Sequence, residues 1–195
     1  MAELITVLAA SEASIKDEMV VKIAILSERY YPSWRWYIDT MLQVVLVAGD
    51  HVAEAVWHRV IQVVLSNRDI HEYAAEKMFC AVQSKYCHPV AVSMASYLLG
   101  EIGISICDQR GRSCYEQYAA LHQHFGLVDA RVQAIILTAF VKLYNLYSSE
   151  SSLREDLVHV FSKYVLVECA VCSVCAVCAV YCVLRVVCCV LCVVC

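Results

Sequence analysis

Helix-start signals at residues 14, 50, 88 and 129 open a new pair of helices after 36, 38 and 41 residues. A unit of that length holds two helices, and neither can bury its apolar face against the other alone. Stacking of unit on unit must supply the core. The first signal is Ser14, which precedes a stripe of Ile15, Met19, Val20, Ile23 and Leu26, with Asp17 placed to complete a capping box. Pro32 and Ser33 then break the chain before a helix striped by Tyr37, Ile38, Met41, Leu42 and Val45, which stops at Gly49. Asp50 is predicted to cap the next helix, with Val52, Val56, Trp57, Val60, Ile61 and Val64 on one face. Asp69 with Glu72 predicts a further capping box. Pro89 suits a first helical position, and Gly100 and Gly103 in the helix it opens predict close helix approach at some cost in propensity. Ser113 with Glu116, Asp129, and Ser152 with Glu155 mark three more starts.

The fold class that follows is all-α, an α-solenoid of HEAT/armadillo-like helix pairs. An irregular helical bundle is the competing arrangement. No segment alternates apolar and polar residues between hairpin turns, and no glycine-rich phosphate loop follows a strand pattern. The most polar loop is residues 108–113.

Fifteen basic residues against nineteen acidic ones give a net charge of −4, with no Lys/Arg run fit to follow a phosphate backbone. No nucleic-acid partner is expected. The first residues lack a basic flank and a small-residue cleavage site, and Glu3 interrupts them. Cys80, Cys87, Cys107 and Cys114 are therefore expected to be reduced core or boundary residues. Asp50, Glu54 and His58 lie four apart and would share a helix face, but a cap and a solvated face explain them better than a metal. His122 and His124 point about 200° apart on a helix and cannot chelate together. No activated Ser or Cys elbow is present, so no catalytic residue, cofactor or small-molecule substrate is predicted. Trp34, Trp36, Tyr37 and Trp57 are expected to pack between helices.

Residues 165–195 differ from everything before them. Nine of the thirteen cysteines lie there, and only Glu168 and Arg185 carry charge. Steps of three residues turn a helix by about 300°, so Cys169, Cys172, Cys175 and Cys178 spiral through half its circumference, and on a strand the same step alternates faces. Cys175, Cys178, Cys189 and Cys192 form two CxxC pairs, yet no Gly, Pro or Asn makes the turns that would gather four thiolates on zinc. Residues 165–184 are long and apolar enough to cross a bilayer if Glu168 sits near an edge. The favoured reading is low-complexity sequence of the kind a TG-rich DNA tract encodes. The chain is thus divided into a helical-repeat trunk at 1–164 and a Cys/Val-rich hydrophobic tail at 165–195.

The stretch WYIDTMLQVVLVAGDHVAEAVWHRVIQVV, residues 36–64, resembles the trunk of the α-adaptins, large subunits of endocytic clathrin adaptor complexes. NRDIHEYAAEKMFCAVQ, YLLGEIG, DEMVVKIAILSERY and RVQAIILTAFVKLYNLY extend the likeness over about residues 10–164, and the GDxVxExVWxRVIQ pattern favours α over related adaptins. The resemblance implies a curved solenoid that clasps a small subunit and joins a medium and a second large adaptin in a heterotetramer. Such a scaffold works in vesicle-mediated intracellular protein transport by surface complementarity. It would sit in the cytoplasm, peripheral on coated pits at the plasma membrane, linking cargo, membrane and clathrin. The likeness is to the later half of the trunk, so the basic phosphoinositide-binding part and the appendage have no counterpart, and partner-binding residues stay unknown. The rival class is a tail-anchored membrane protein with a helical cytosolic domain.

Overall fold

The computed structural model describes residues 2–146, 153 and 155–161, and the regular elements among them are all helical. In order they are α1 (Ala2–Ala10), α2 (Ala13–Arg29), α3 (Trp34–Ala48), α4 (Glu54–Ser66), α5 (His71–Val82), α6 (Pro89–Ile102), α7 (Cys114–Phe125) and α8 (Ala130–Leu146). Residues 155–161 are helical as well. Short 3-10 turns at Gly49–His51, Arg68–Ile70 and Gly103–Ile106 join some of them.

The helices stand in two layers. α1, α3, α5 and α7 lie side by side in one, and α4, α6 and α8 in the other, with α2 beside the turn that leads toward α4. Each helix also packs on its successor in the opposite layer, as α2 does on α3, α5 on α6 and α7 on α8. This is the file of helix pairs expected of a HEAT/armadillo-like solenoid, in which each unit is covered by its neighbours. One continuous core results, running from Leu8 through Met41, Val64, Met78 and Leu99 to Phe140 and Leu157.

Helix α6 is apolar nearly all round because helices flank it on several sides: α3, α4, α5, α7 and α8 all touch it. The run Pro89–Ile106 has a mean hydropathy of 1.4, long and apolar enough to cross a membrane by composition, but 67% of it is buried among these neighbours. Gly100 makes the closest of these approaches feasible: a β-carbon there would stand 3.1 Å from Ala139 Cα on α8.

Several predicted starts are realised. Ser33 Oγ accepts from Trp36 N–H at 3.3 Å, and Pro89 occupies the first turn of α6. Ser113 and Glu116 form the reciprocal box at α7, with Ser113 N–H donating to Glu116 Oε2 at 2.7 Å. Asp129 Oδ1 accepts from Val132 N–H at 2.9 Å.

Three predicted caps are not caps, because the turn before each helix moves its first residue away from the expected one. Helix α2 begins at Ala13 with Glu12 in the cap position and no side-chain cap bond, so Ser14 lies inside it and Asp17 turns to His51 Nδ1, 2.7 Å away. Gly49, at φ +56°, carries the chain into a 3-10 turn, so α4 starts at Glu54 and Asp50 faces His88 Nε2 at 3.2 Å. A second 3-10 turn, Arg68–Ile70, runs directly into α5, leaving Asp69 without a cap role and Glu72 accepting from Gln109 Nε2 at 2.7 Å. The helix α1 was not anticipated, although its Ile5 and Leu8 pack on the core. Ser152 lies outside the described residues.

Gly126 follows α7 with φ −82°, a value any residue adopts, and a β-carbon there would meet nothing within 4 Å. Gly126→Ala is therefore expected to stabilise the chain by about 0.4–1 kcal/mol through the unfolded state, read as a higher urea midpoint at unchanged slope.

Candidate functional site

A row of helix pairs works through its surfaces, and the side chains that fix those surfaces are polar contacts between units. In the odd layer, Asp39 of α3 accepts from Tyr73 Oη at 2.7 Å and pairs with Lys77 Nζ at 3.0 Å, both on α5. Glu76 of α5 pairs with Arg112 at 2.7 Å, just before α7. The buried His124 of α7 sets Nε2 2.8 Å from the Val82 carbonyl that ends α5, and Gln123 Nε2 donates to the same oxygen at 2.6 Å. Tyr115 Oη then donates to Asp156 Oδ2 at 3.2 Å. On the other side, Arg59 of α4 donates through Nε to both oxygens of Glu28 on α2 at 3.1 Å, Lys142 of α8 pairs with Glu101 of α6, and Arg131 of α8 pairs with Glu54 of α4.

Apart from the last, these contacts join residues 31 to 42 apart in sequence, one unit length. Sequence reasoning missed them, although acids and bases repeating at the helix-pair period were a readable signal. Most are exposed pairs worth about 0.2–1 kcal/mol each, so they set register between units more than they hold them together.

The environment moves several ionisation equilibria. The hydrogen bond from Arg59 holds Glu28 below the usual carboxylate range, and the bond to Asp39 raises Lys77. Burial pushes Tyr37 up to about 12, aided by the nearby Glu28 charge. Burial likewise raises Tyr118 to about 12. An unfolded tyrosine loses its proton near pH 10, so between pH 10 and 12 the unfolded chain ionises Tyr37 while the folded one does not. Folding stability contributed by the protonated ring is complete below pH 10 and falls as pH rises toward 12, by on the order of 2 kcal/mol. Tyr37→Phe should flatten that alkaline limb, measured as the urea midpoint between pH 9 and 12 (about two pH units above the ordinary tyrosine value at the upper end).

The sequence-level candidates are dispersed. Asp50 faces His88, Glu54 is taken by Arg131, and His58 Nε2 lies 3.6 Å from Glu54, so the three do not converge. Among the described residues no group of three or more His, Cys, Asp or Glu side chains is gathered as metal ligands would be. His122 stacks on Tyr118 at 5.3 Å while His124 points into the α5 joint. Trp34 stacks on Tyr31 at 3.9 Å and meets the edge of the buried Tyr37 at 6.0 Å. Trp36 packs on the core and Trp57 is buried within it, so this aromatic group is packing between and along helices. Cys80, Cys87, Cys107 and Cys114 are not joined in disulfides, and Cys87, Cys107 and Cys114 lie in or at the edge of the core, but Cys80 is exposed because it falls on the outward side of α5. The CxxC pairs and the apolar span at 165–184 lie outside the described residues.

Comparison with known proteins agrees with this architecture. A family model described as the adaptin N terminal region matches residues 1–174. The AP-2 complex subunit alpha-2 of Dictyostelium discoideum is 33% identical over 86% of this chain, which spans 17% of that protein. The AP-2 complex subunit alpha-2 of Arabidopsis thaliana is 34% identical over 83% of the chain and 16% of its own length. An AP-1 complex subunit gamma-2 from Arabidopsis thaliana is 33% identical, but over 56% of the chain and 13% of its own length. The chain thus spans about a sixth of the length of these α subunits, and its match to them is longer than its match to the γ subunit. With a two-layer file of helix pairs and a family match over most of its residues, the chain belongs to the adaptin N-terminal region family, on the α-adaptin side.

Proposed function

We propose that this chain is a stretch of non-enzymatic scaffold from a clathrin-associated adaptor complex, acting in endocytic vesicle transport. The observation that carries the reading is the likeness to AP-2 α subunits along 83–86% of the chain. The fold supports it, because a file of helix pairs presents long side walls to other proteins without enclosing a reaction site. Its partners are a small, a medium and a second large adaptin-type subunit, and it meets clathrin and membrane through that assembly. It acts at the cytoplasmic face of coated membranes by fit of surfaces.

Co-expression with candidate small and medium adaptin-type subunits tests the proposal directly. Co-purification of either one supports it, and a monodisperse chain that captures neither overturns it. Alkaline carbonate extraction addresses the tail: a peripheral coat component is stripped from membranes, whereas a chain anchored through residues 165–184 stays with them. We place the end of the trunk near residue 164, with 165–195 as low-complexity sequence. Transcript sequencing through codon 165 tests that division, since a spliced message encoding the tail intact counts against it.

A further inference from the structure

The two sulfurs that flank the most polar loop are already in contact. Cys107 leaves the Gly103–Ile106 turn and Cys114 opens α7, and their Sγ atoms lie 3.3 Å apart. A disulfide needs about 2.0 Å, so bonding asks for an approach of about 1.3 Å between two side chains across a short loop. Cys114 is 1% exposed, whereas Cys107 is half-buried, so a small oxidant from solvent reaches Cys107 first. The wholly buried amide of Gln117 stands at the same sulfur: Nε2 lies 3.2 Å from Cys107 Sγ and donates to the Gly103 and Arg112 carbonyls at 3.0 and 2.9 Å. The two hydrogens of that amide are shared among three acceptors, so it ties both ends of the loop together and sets its positive side against Cys107 Sγ.

We propose that Cys107 and Cys114 are a redox pair, closed to a disulfide by hydrogen peroxide and reopened by thiols, which stiffens the joint between α5 and α7. The Cys107 thiolate attacks a peroxide oxygen. An S–O bond forms, the O–O bond breaks, and the departing hydroxide takes a proton to become water. The Cys114 sulfur then attacks the sulfenic sulfur. An S–S bond forms, the S–O bond breaks, and the hydroxyl leaves as a second water with the Cys114 proton. Two thiols give up two electrons and one peroxide becomes two waters. The loop between them carries Gln109 and Arg112, which hold Glu72 and Glu76 on α5, so closing its base fixes the side chains that tie α5 to α7.

The test uses the whole chain, reduced, then exposed to peroxide, alkylated, denatured and digested with trypsin. Cleavage after Lys85, Arg110, Arg112 and Arg131 puts Cys107 on residues 86–110, together with Cys87, and Cys114 on residues 113–131. The expected product is these two peptides joined, in the parent chain and in Cys87→Ser alike, and absent from Cys107→Ser. Native-state nicking after Arg110 should slow by roughly tenfold on oxidation and recover with dithiothreitol. Recovery of Cys107 as alkylated thiol or sulfinic acid without the link would overturn the proposal. So would a link to residues 113–131 that survives in Cys107→Ser.

Discussion

Replacing Phe140 with alanine is expected to lower the stability of the folded chain by about 3–5 kcal/mol, the cost of removing a buried ring and leaving its cavity. The side chain has no exposed surface. Its ring centre lies 4.9 Å from Tyr118 and 6.4 Å from both Phe125 and His122, so three α7 rings meet one residue of α8. Little can collapse into the gap, because rings held by stacking on one another do not shorten the distance between helix axes. Since single domains are stable by about 5–15 kcal/mol, the loss is a large share of the total. In a file of units it should also be local. Hydrogen exchange in Phe140→Ala should open the α8 amides far more than those of α3, whose cover comes from α1, α2, α5 and α6. A urea midpoint shifted by less than the equivalent of about 1 kcal/mol would mean that α7 and α8 repack freely.

Gly100→Leu is expected to cost about 3 kcal/mol, with the opposite sign from what helix propensity alone dictates. In an exposed helix the change should help by about 0.8–1 kcal/mol. Here the first added carbon would sit 3.1 Å from Ala139 Cα and 3.2 Å from Ala139 Cβ, and the contact is with backbone, which cannot swing aside. The remaining three carbons force α6 and α8 apart, an overpacking penalty of about 1–3 kcal/mol or more, added to the lost contact along a main seam of the core. A second-site Ala139→Gly change should return part of the loss, because it removes one of the two Ala139 atoms met. Denaturant titration of the single and double variants checks both statements, and equal stabilities for the two would show that the seam is looser than 3.1 Å implies.

Much of this fold could be read from the sequence because helix pairs leave a period, and Ser33, Pro89, the Ser113–Glu116 pair and Asp129 are local signals for local events. The failures at Ser14, Asp50 and Asp69 share a cause. A cap is recognisable by residue type, but whether its oxygen turns to the helix depends on the preceding turn and on partners one unit away, such as His51 for Asp17 and His88 for Asp50. Helix α1 leaves a faint signal because its nine residues are too few to show a period, and Ile5 and Leu8 gain a partner only when α3 packs against them. The polar ladder between units is readable only when that same period is applied to the charged residues. Asp39 and Lys77, or Glu76 and Arg112, become pairs once the units stack in register. Partner-binding residues leave no such period, because a surface that fits another protein is specified by that protein.

The Arg131–Glu54 contact reaches past a whole unit, joining residues 77 apart. Helices packed side by side stand about 8–10 Å apart, so α4 and α8, with α6 between them, are separated by about 16–20 Å, a gap that an arginine and a glutamate span only when both side chains extend toward each other. The contact ties the first turns of α4 and α8 to each other across α6, which packs on both. One exposed ion pair thus limits how far non-adjacent units can spread, and the salt that screens such a pair also relaxes that brace.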